Sequence, residues 1–268
     1  MSTDYRLAYG THATPEDGRC AMEWVSYLAG EPHNDQPHCV SPVLRAFCVA
    51  LNDGLEDEPR QRLRPYLART IGTSADGMDV ARAWMAMDWL IRTYTPTWLA
   101  AAGLADSAGQ LRSLQPLTGA EDLLAALSAL DYARRRAAAG VYGRAPGRWL
   151  GPGIAARSVA REKAWTTAAA AAWAAARLGI GEIAGDRARA IARTAAGDAA
   201  ASIAREAAAA AAGRAAAKEA AREVLAPTVR ILQDSVFELL NRLLPTEVLT
   251  VPVADRCDEQ ALLAFAAA

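Results

Sequence analysis

The chain has 268 residues, of which 52% are hydrophobic, and its formal net charge at pH 7 is −1. This length suffices for one large domain or two small ones. A membrane-spanning helix is excluded, because the longest uncharged alanine-rich run, between Lys163 and Arg177, is too short and too weakly apolar. The N-terminal residues lack the apolar segment of a secretory leader, so we expect a cytoplasmic protein whose four cysteines stay reduced.

Alanine and charge are unevenly distributed along the chain. Alanine has the highest helix propensity and little side chain to bury, so an alanine-rich sequence predicts closely packed helices. Residues 1–133 carry 10 cationic and 17 acidic side chains, residues 134–222 carry 16 and 6, and residues 223–268 carry 3 and 7. The basic middle is therefore flanked by acidic regions, which can pair with it within the chain or between subunits.

Short helices separated by proline and glycine are predicted for the first third of the chain. Apolar residues at helical spacing in PEDGRCAMEWVSYLAG predict a first helix, and Gly30 is its expected end. Pro32 and Pro37 exclude a regular helix from the following loop, residues 31–39, which we call the elbow. Ser41-Pro42 then supplies an N-cap and a first-turn proline for a second helix.

The segment ADGMDVARAWMAMDWLIRTY has the strongest amphipathic pattern of the first half and predicts a helix with tryptophan and methionine on its buried face. Thr95-Pro96 predicts the start of a new, short helix, which Gly103 ends. Thr118 and Glu121 have the spacing of a capping box and predict a further helix, which ends at Gly140.

A linker rich in glycine and proline, residues 141–153, separates two predicted regions. Residues 1–140 form a helical N-terminal module, and residues 154–268 form an alanine-rich region of long helices. The predicted fold class is therefore all-α, with a bundle-like module followed by long alanine-rich helices.

Within the alanine-rich region we expect long helices over residues 154–178 and 183–225. Gly197 interrupts the second of them and should weaken it or admit a close neighbour. An apolar stripe predicts an amphipathic helix over residues 228–244. The run EVLTVPV, residues 247–253, is strand-like, and a short helix is expected after it.

Part of the first hundred residues carries a resemblance to known sequences. The matching residues are Leu28-Ala29-Gly30-Glu31-Pro32, Asp35, Pro37, Cys39, Pro42-Val43, Asn52-Asp53 and Asp88-Trp89. In these positions the chain resembles a group of uncharacterised helical proteins of actinobacteria and their phages. The group has no established activity, so the resemblance implies a shared N-terminal module and not a function.

The elbow concentrates residues that can carry acid–base or nucleophilic chemistry. Cys39 lies just before the N-terminus of the second helix, where the helix dipole lowers the pKa of a thiol. We therefore name Cys39 as the candidate reactive residue, with His38, Glu31 and Asp35 as its candidate partners. In the structural alternative, Glu31 caps the backbone, Asp35 closes a turn and His38 is solvated.

The same loop suggests a zinc or iron site, because thiolate and imidazole groups are common metal ligands. The candidate ligands are Cys20, His33, His38 and Cys39, with Asp35 or Cys48. Their spacing contains neither CxxC nor HxxxH, and Cys20 and Cys48 lie on apolar helix faces, where cysteine behaves as a small hydrophobic residue. We therefore predict no bound metal and no cofactor.

Two other features suggest binding. A cluster of arginines in the basic middle can hold phosphate or nucleic acid, although no phosphate-loop or DNA-binding motif accompanies it; it comprises Arg134, Arg135, Arg136, Arg144, Arg148, Arg157, Arg161 and Arg177. Tryptophans at helical spacing can line an apolar ligand pocket or form the core; these include Trp84, Trp165 and Trp173.

The leading hypothesis is a non-catalytic binding or assembly protein whose alanine-rich helices pack against one another or against another subunit. A pocket lined by tryptophan for a small apolar ligand is an optional part of this hypothesis. The alternatives are an enzyme with its site in the elbow and an anion-binding or nucleic-acid-binding protein that uses the arginine-rich middle. We expect self-association or a protein partner and no membrane partner.

Overall fold

The computed structural model of the chain describes residues 5–142, 158–160, 162–181, 187–213 and 217–246. No strand occurs among these residues, so the all-α prediction is confirmed, and no helix among them is long and apolar enough to cross a membrane. The α-helices, numbered in chain order, are α1 (Ala21–Leu28), α2 (Pro42–Gly54), α3 (Asp57–Gln61), α4 (Arg64–Leu67), α5 (Asp79–Trp89), α6 (Thr95–Ala101), α7 (Ala105–Arg112), α8 (Ala120–Tyr142), α9 (Lys163–Gly181), α10 (Arg187–Ala211) and α11 (Lys218–Leu243).

The two helix ends on either side of the elbow follow the sequence prediction. At the start of α2, the Ser41 Oγ accepts a hydrogen bond from Leu44 N at 3.3 Å, and Pro42 occupies the first helical position. After α1, Gly30 has a φ of 69°, a left-handed conformation that glycine adopts without steric penalty. Residues local in sequence therefore fix both ends.

As Thr95-Pro96 and Gly103 predicted, α6 begins at Thr95 and ends before Gly103, but it continues α5 without a break. Residues Leu90–Tyr94 form a π turn, in which the backbone N–H of Thr95 bonds to the Leu90 carbonyl. The Thr95 Oγ1 donates a second hydrogen bond to the same carbonyl at 2.8 Å. Because Pro96 has no N–H to donate, a wider turn keeps the helix continuous at this point.

The N-terminus of α8 is capped by Asp122 and not by the predicted Glu121. The Asp122 Oδ2 accepts hydrogen bonds from Thr118 N at 2.8 Å and from Thr118 Oγ1 at 2.9 Å. The capping-box spacing thus predicted the start of the helix but named the wrong carboxylate. The preceding helix α7, which carries Gly109 in its interior, was not predicted.

The alanine-rich helices pack against the helices of the predicted N-terminal module. α9 contacts α2 and α5, and α10 contacts α8 and α6. Buried residues from both predicted regions belong to one hydrophobic core. Short side chains let helix backbones approach closely, and the buried alanines of α9 are Ala168, Ala169, Ala171, Ala172, Ala175 and Ala176.

Two glycines mark close contacts of α9. The Thr167 Oγ1 donates a hydrogen bond to the Gly54 carbonyl at 2.8 Å, and a side chain at Gly54 would overlap Thr167. Gly197 of α10 lies against the ring of Trp173, which a side chain there would also overlap. Of the two effects predicted for Gly197, the admission of a close neighbour is observed.

α11 is one continuous helix across Pro227, whereas the sequence predicted separate helices over residues 183–225 and 228–244. The break lies earlier, because α10 ends at Ala211 and Gly213 is in a turn. The predicted amphipathic character is confirmed by a buried stripe that includes Leu225, Leu232, Val236, Leu239, Leu240 and Leu243.

Several predicted features lie outside the described residues. These are most of the linker 141–153, the start of the helix predicted over residues 154–178, the strand-like run 247–253 and the final short helix. The division of the chain into two domains stays a prediction.

Candidate functional site

The elbow is organised by the carboxylate of Glu31. Its Oε2 accepts a hydrogen bond from the backbone N of His38 at 2.7 Å, and its Oε1 accepts one from the backbone N of Cys39 at 2.9 Å. These two bonds hold the far end of the loop against its beginning. The His38 side chain is exposed and Asp35 is half-buried. Glu31 therefore acts here as a backbone cap, as the structural alternative predicted.

The thiol of Cys39 is in an environment opposite to the predicted one. Burial raises its pKa to about 12, and the hydrogen bond to Glu31 and the charge of Glu31 act in the same direction. The expected lowering by the helix dipole is therefore wrong, because a carboxylate and the loss of water outweigh it. Only the thiolate is a good nucleophile, so Cys39 is a weak one at neutral pH.

The residues considered as candidate metal ligands are not brought together. Within the described ranges, no group of three or more His, Cys, Asp and Glu side chains can hold a metal ion. Cys20 and Cys48 are buried on the apolar faces of their helices, and burial raises the pKa of each to about 12. Protonated thiols in an apolar core are structural residues.

Sequence reasoning missed Glu23, which is the centre of the polar interactions near the elbow. Its side chain is 1% exposed. It accepts hydrogen bonds from His12 N at 2.6 Å, from His12 Nδ1 at 2.8 Å and from Cys20 N at 2.7 Å. The His33 Nε2 lies 3.9 Å from the Glu23 Oε1, and it donates a hydrogen bond to the His12 carbonyl at 3.1 Å. The available signal was the three-residue spacing of Cys20 and Glu23, which is that of a capping box.

Residues 5–12, which we call the arm, are held on the surface of α1 to α3 by side chains that bind their backbone. The amide of Gln61 accepts a hydrogen bond from Leu7 N at 2.8 Å and donates one to Leu7 O at 3.0 Å. Asn52 donates to the Ala8 carbonyl at 3.0 Å, and the indole of Trp24 donates to the Arg6 carbonyl at 3.1 Å. The arm is therefore fixed along much of its length without being part of a helix.

The arm forms one wall of a cleft of about 670 Å³, which is within the usual size of a small-molecule site. The turn at residues 15–19 and the helix α3 provide the other walls. Polar, charged and aromatic side chains of the cleft are Arg6, Tyr9, Glu16, Asp17, Arg19, Trp24, Asp57, Arg60 and Gln61.

Arg19 differs from the other two arginines of the cleft. Arg6 pairs with Glu58 at 2.7 Å, and Arg60 pairs with Asp57 at 2.8 Å. The Arg19 guanidinium stacks on the rings of Trp24 and Tyr27, at 4.8 and 4.9 Å from their centroids. It has no ion pair within the part of the chain that the structure describes, and its buried Nε has no hydrogen-bond partner there. Among the described residues, the cleft thus contains an oriented cation without a counter-ion.

The basic middle and the tryptophans do not form a site in the described residues. Arg134 and Arg135 pair with Asp131 at 2.7 and 2.6 Å, and Arg136 and Arg177 are exposed. Trp84, Trp89 and Trp98 are buried in the core. Of the arginines and tryptophans considered as candidates, five have side chains outside the described part of the chain, namely Arg144, Arg148, Arg157, Arg161 and Trp165.

Comparison with known proteins adds no assignment. No family model, no curated protein and no solved structure matches the chain.

Proposed function

We propose that this chain is a non-catalytic binding protein whose ligand site is the cleft beside the arm. The observation that supports it is Arg19 on the cleft wall, a cation that stacks on the rings of Trp24 and Tyr27 and is not neutralised by any carboxylate of the described residues. Such a guanidinium binds a carboxylate or phosphate through charge-assisted hydrogen bonds. The ring of Tyr9, which is 60% exposed, offers a stacking surface. The proposed ligand is a small, flat molecule with one anionic group.

Two observations favour binding in the cleft over the other hypotheses. Against an enzyme in the elbow, Cys39 has a raised pKa and Glu31 is occupied by backbone N–H groups. Against assembly through the alanine-rich faces, six alanines of α9 are already buried inside the chain, and Ala170 is the one exposed alanine among those whose side chains the structure describes in this helix. The cytoplasm stays the proposed location.

The test is isothermal titration with a panel of aromatic carboxylates and, as neutral counterparts, the corresponding alcohols. We expect a carboxylate to bind better than its alcohol. Arg19→Gln should weaken binding of the carboxylate by about tenfold or more, which is the usual loss for a charge-assisted hydrogen bond. Arg135→Gln, an exposed arginine on α8, is the matched control. Equal binding by wild type and Arg19→Gln would remove the cleft from consideration.

A further inference from the structure

Two large apolar side chains are exposed on a single helix. Val224 and Ile231 of α11 are 53% and 60% exposed. They are seven residues, or two helical turns, apart, and the exposed Pro227 lies between them. We call these three residues the α11 stripe. In the described part of the chain, the other exposed large apolar residues lie singly on different segments, namely Tyr9, Tyr27, Met78, Leu124 and Leu178.

Two charged residues flank the stripe on one side. Glu223 and Arg230 are also seven residues apart, and both are exposed. Neither has an ion pair within the described ranges, whereas nearby charges on the same helix do. Arg222 pairs with Glu162 at 2.8 Å, and Asp234 pairs with Arg62 at 2.8 Å.

We propose that the α11 stripe is the docking surface for a second copy of this chain, with the two helices antiparallel. A twofold axis between residues 227 and 228 places Val224 against the partner's Ile231, and the reverse contact follows by symmetry. The same axis brings Glu223 next to the partner's Arg230. Val224, Ile231 and the two unpaired charges beside the stripe then each have a complementary neighbour.

The charges favour the antiparallel arrangement over the parallel one. In a parallel pair related by a twofold axis, the edge with Glu223 and Arg230 lies on the opposite side of the contact from the same edge of the partner, so these charges do not meet across it. Opposite charges meet only when the helices run in opposite directions. The order of charges along α11 therefore favours an antiparallel pair.

The contact covers two or three helical turns and is smaller than the about 1,200 Å² of total buried area that stable interfaces usually need. The dimer is therefore weak and depends on concentration. The stripe shares no residue with the cleft, so this inference does not depend on the proposed ligand. It also differs from the predicted assembly through alanine-rich faces, because none of the residues of the stripe is an alanine.

The test is sedimentation of the full-length protein from about 10 µM to about 1 mM, a range that detects weak dimers. We expect the average mass to rise from that of one chain, 28.3 kDa, towards twice that value. Ile231→Asp should abolish the rise. The matched control is Leu124→Asp, which alters an equally exposed leucine on α8 and should leave the rise unchanged. Circular dichroism checks that each variant is folded.

A charge exchange tests the orientation. Glu223→Arg alone and Arg230→Glu alone should each weaken the dimer by about tenfold, because like charges then meet. The double variant restores opposite pairs and should recover the wild-type mass curve. A wild type that stays monomeric over the whole range overturns the proposal. This is the result to expect if residues 247–268 of the same chain cover the stripe. A dimer that survives Ile231→Asp, or single variants that the double variant does not rescue, overturns it too.

Discussion

At the residue scale, Glu23 is a buried carboxylate that links the arm, the start of α1 and the elbow. Burial by itself would raise its pKa, but hydrogen bonds from the N–H groups of His12 and Cys20 and from the His12 ring lower the pKa below the ordinary 4.5. The folded chain therefore binds a proton at this site less readily than the unfolded chain does. Folding is coupled to the ionised form of Glu23.

The sign of the resulting pH dependence follows from this lowered pKa. The contribution of Glu23 to the free energy of unfolding is fully present above about pH 4.5 and is lost as the pH falls through the folded-state value. We expect Glu23→Gln to lower the free energy of unfolding at pH 7 by about 2 kcal/mol, since it loses charged hydrogen bonds.

The measurement is urea unfolding at several pH values between 7 and the acid range. Glu23→Gln should also lose less stability than wild type on acidification, although Glu31 and Asp76, whose pKa values are lowered as well, keep some dependence. Glu56→Gln changes an exposed carboxylate and serves as control. Parallel pH profiles for wild type and Glu23→Gln would contradict the role given to Glu23.

At the scale of elements, the packing of α9 depends on the absence of side chains in its neighbours. The end of α2 approaches α9 so closely that the Gly54 carbonyl accepts a hydrogen bond from the Thr167 side chain. The ring of Trp173 lies on Gly197 of α10 in the same way. Rigid helix backbones cannot move apart at one point without disturbing contacts along their length.

Gly54→Ala should therefore destabilise the protein, although alanine is the better helix former. The new Cβ overlaps Thr167, and overpacking of this kind costs about 1–3 kcal/mol. Gly109→Ala is the matched substitution, because no atom lies within 4 Å of a Cβ at this helical position. It should stabilise the protein by up to about 1 kcal/mol. Thermal unfolding of both variants checks this, and shifts of the same sign would refute the close packing.

At the scale of the whole molecule, arginines near α4 and α5 hold the C-terminal end of α11. Arg69 donates hydrogen bonds to the Pro245 carbonyl at 2.9 and 2.7 Å. Arg82, which is 2% exposed, donates to the Leu243 carbonyl at 2.9 Å and to both oxygens of Asp76. The last carbonyls of a helix lack partners within it, so these arginines satisfy the end of α11 and fix it to the N-terminal helices.

Arg82→Gln should destabilise the protein by about 3 kcal/mol, because it leaves the largely buried Asp76 without its partner. It should also release the end of α11, which hydrogen exchange detects as faster exchange of the amides in residues 236–243. Arg92→Gln is the control, since Arg92 pairs with Asp88 inside the same helical segment, at 3.0 Å. If amide exchange in α11 is unchanged in Arg82→Gln, the end of the helix is held by its buried apolar residues alone.

The sequence by itself determined the fold class, the limits of α2 and the amphipathic faces of α5 and α11. These features depend on periodicity and capping, in which each residue acts on neighbours within about one helical turn. The N-cap at Ser41 is an example, because its partner Leu44 is three residues away. Local chemistry of this kind can be read without knowing where the other helices lie.

Only the tertiary structure decided the π turn before Pro96, the continuity of α11 through Pro227, the raised pKa of Cys39 and the cleft at Arg19. Each of these depends on groups that folding brings together from distant parts of the chain. Leu7 and Gln61, for example, are 54 positions apart in the sequence, and Arg82 and Leu243 are 161 positions apart. The elbow supplied the right residues for chemistry, but the burial of Cys39 and the charge of Glu31 removed the reactivity. A thiol pKa and an unneutralised guanidinium are properties of a three-dimensional environment, which the order of residues does not specify locally.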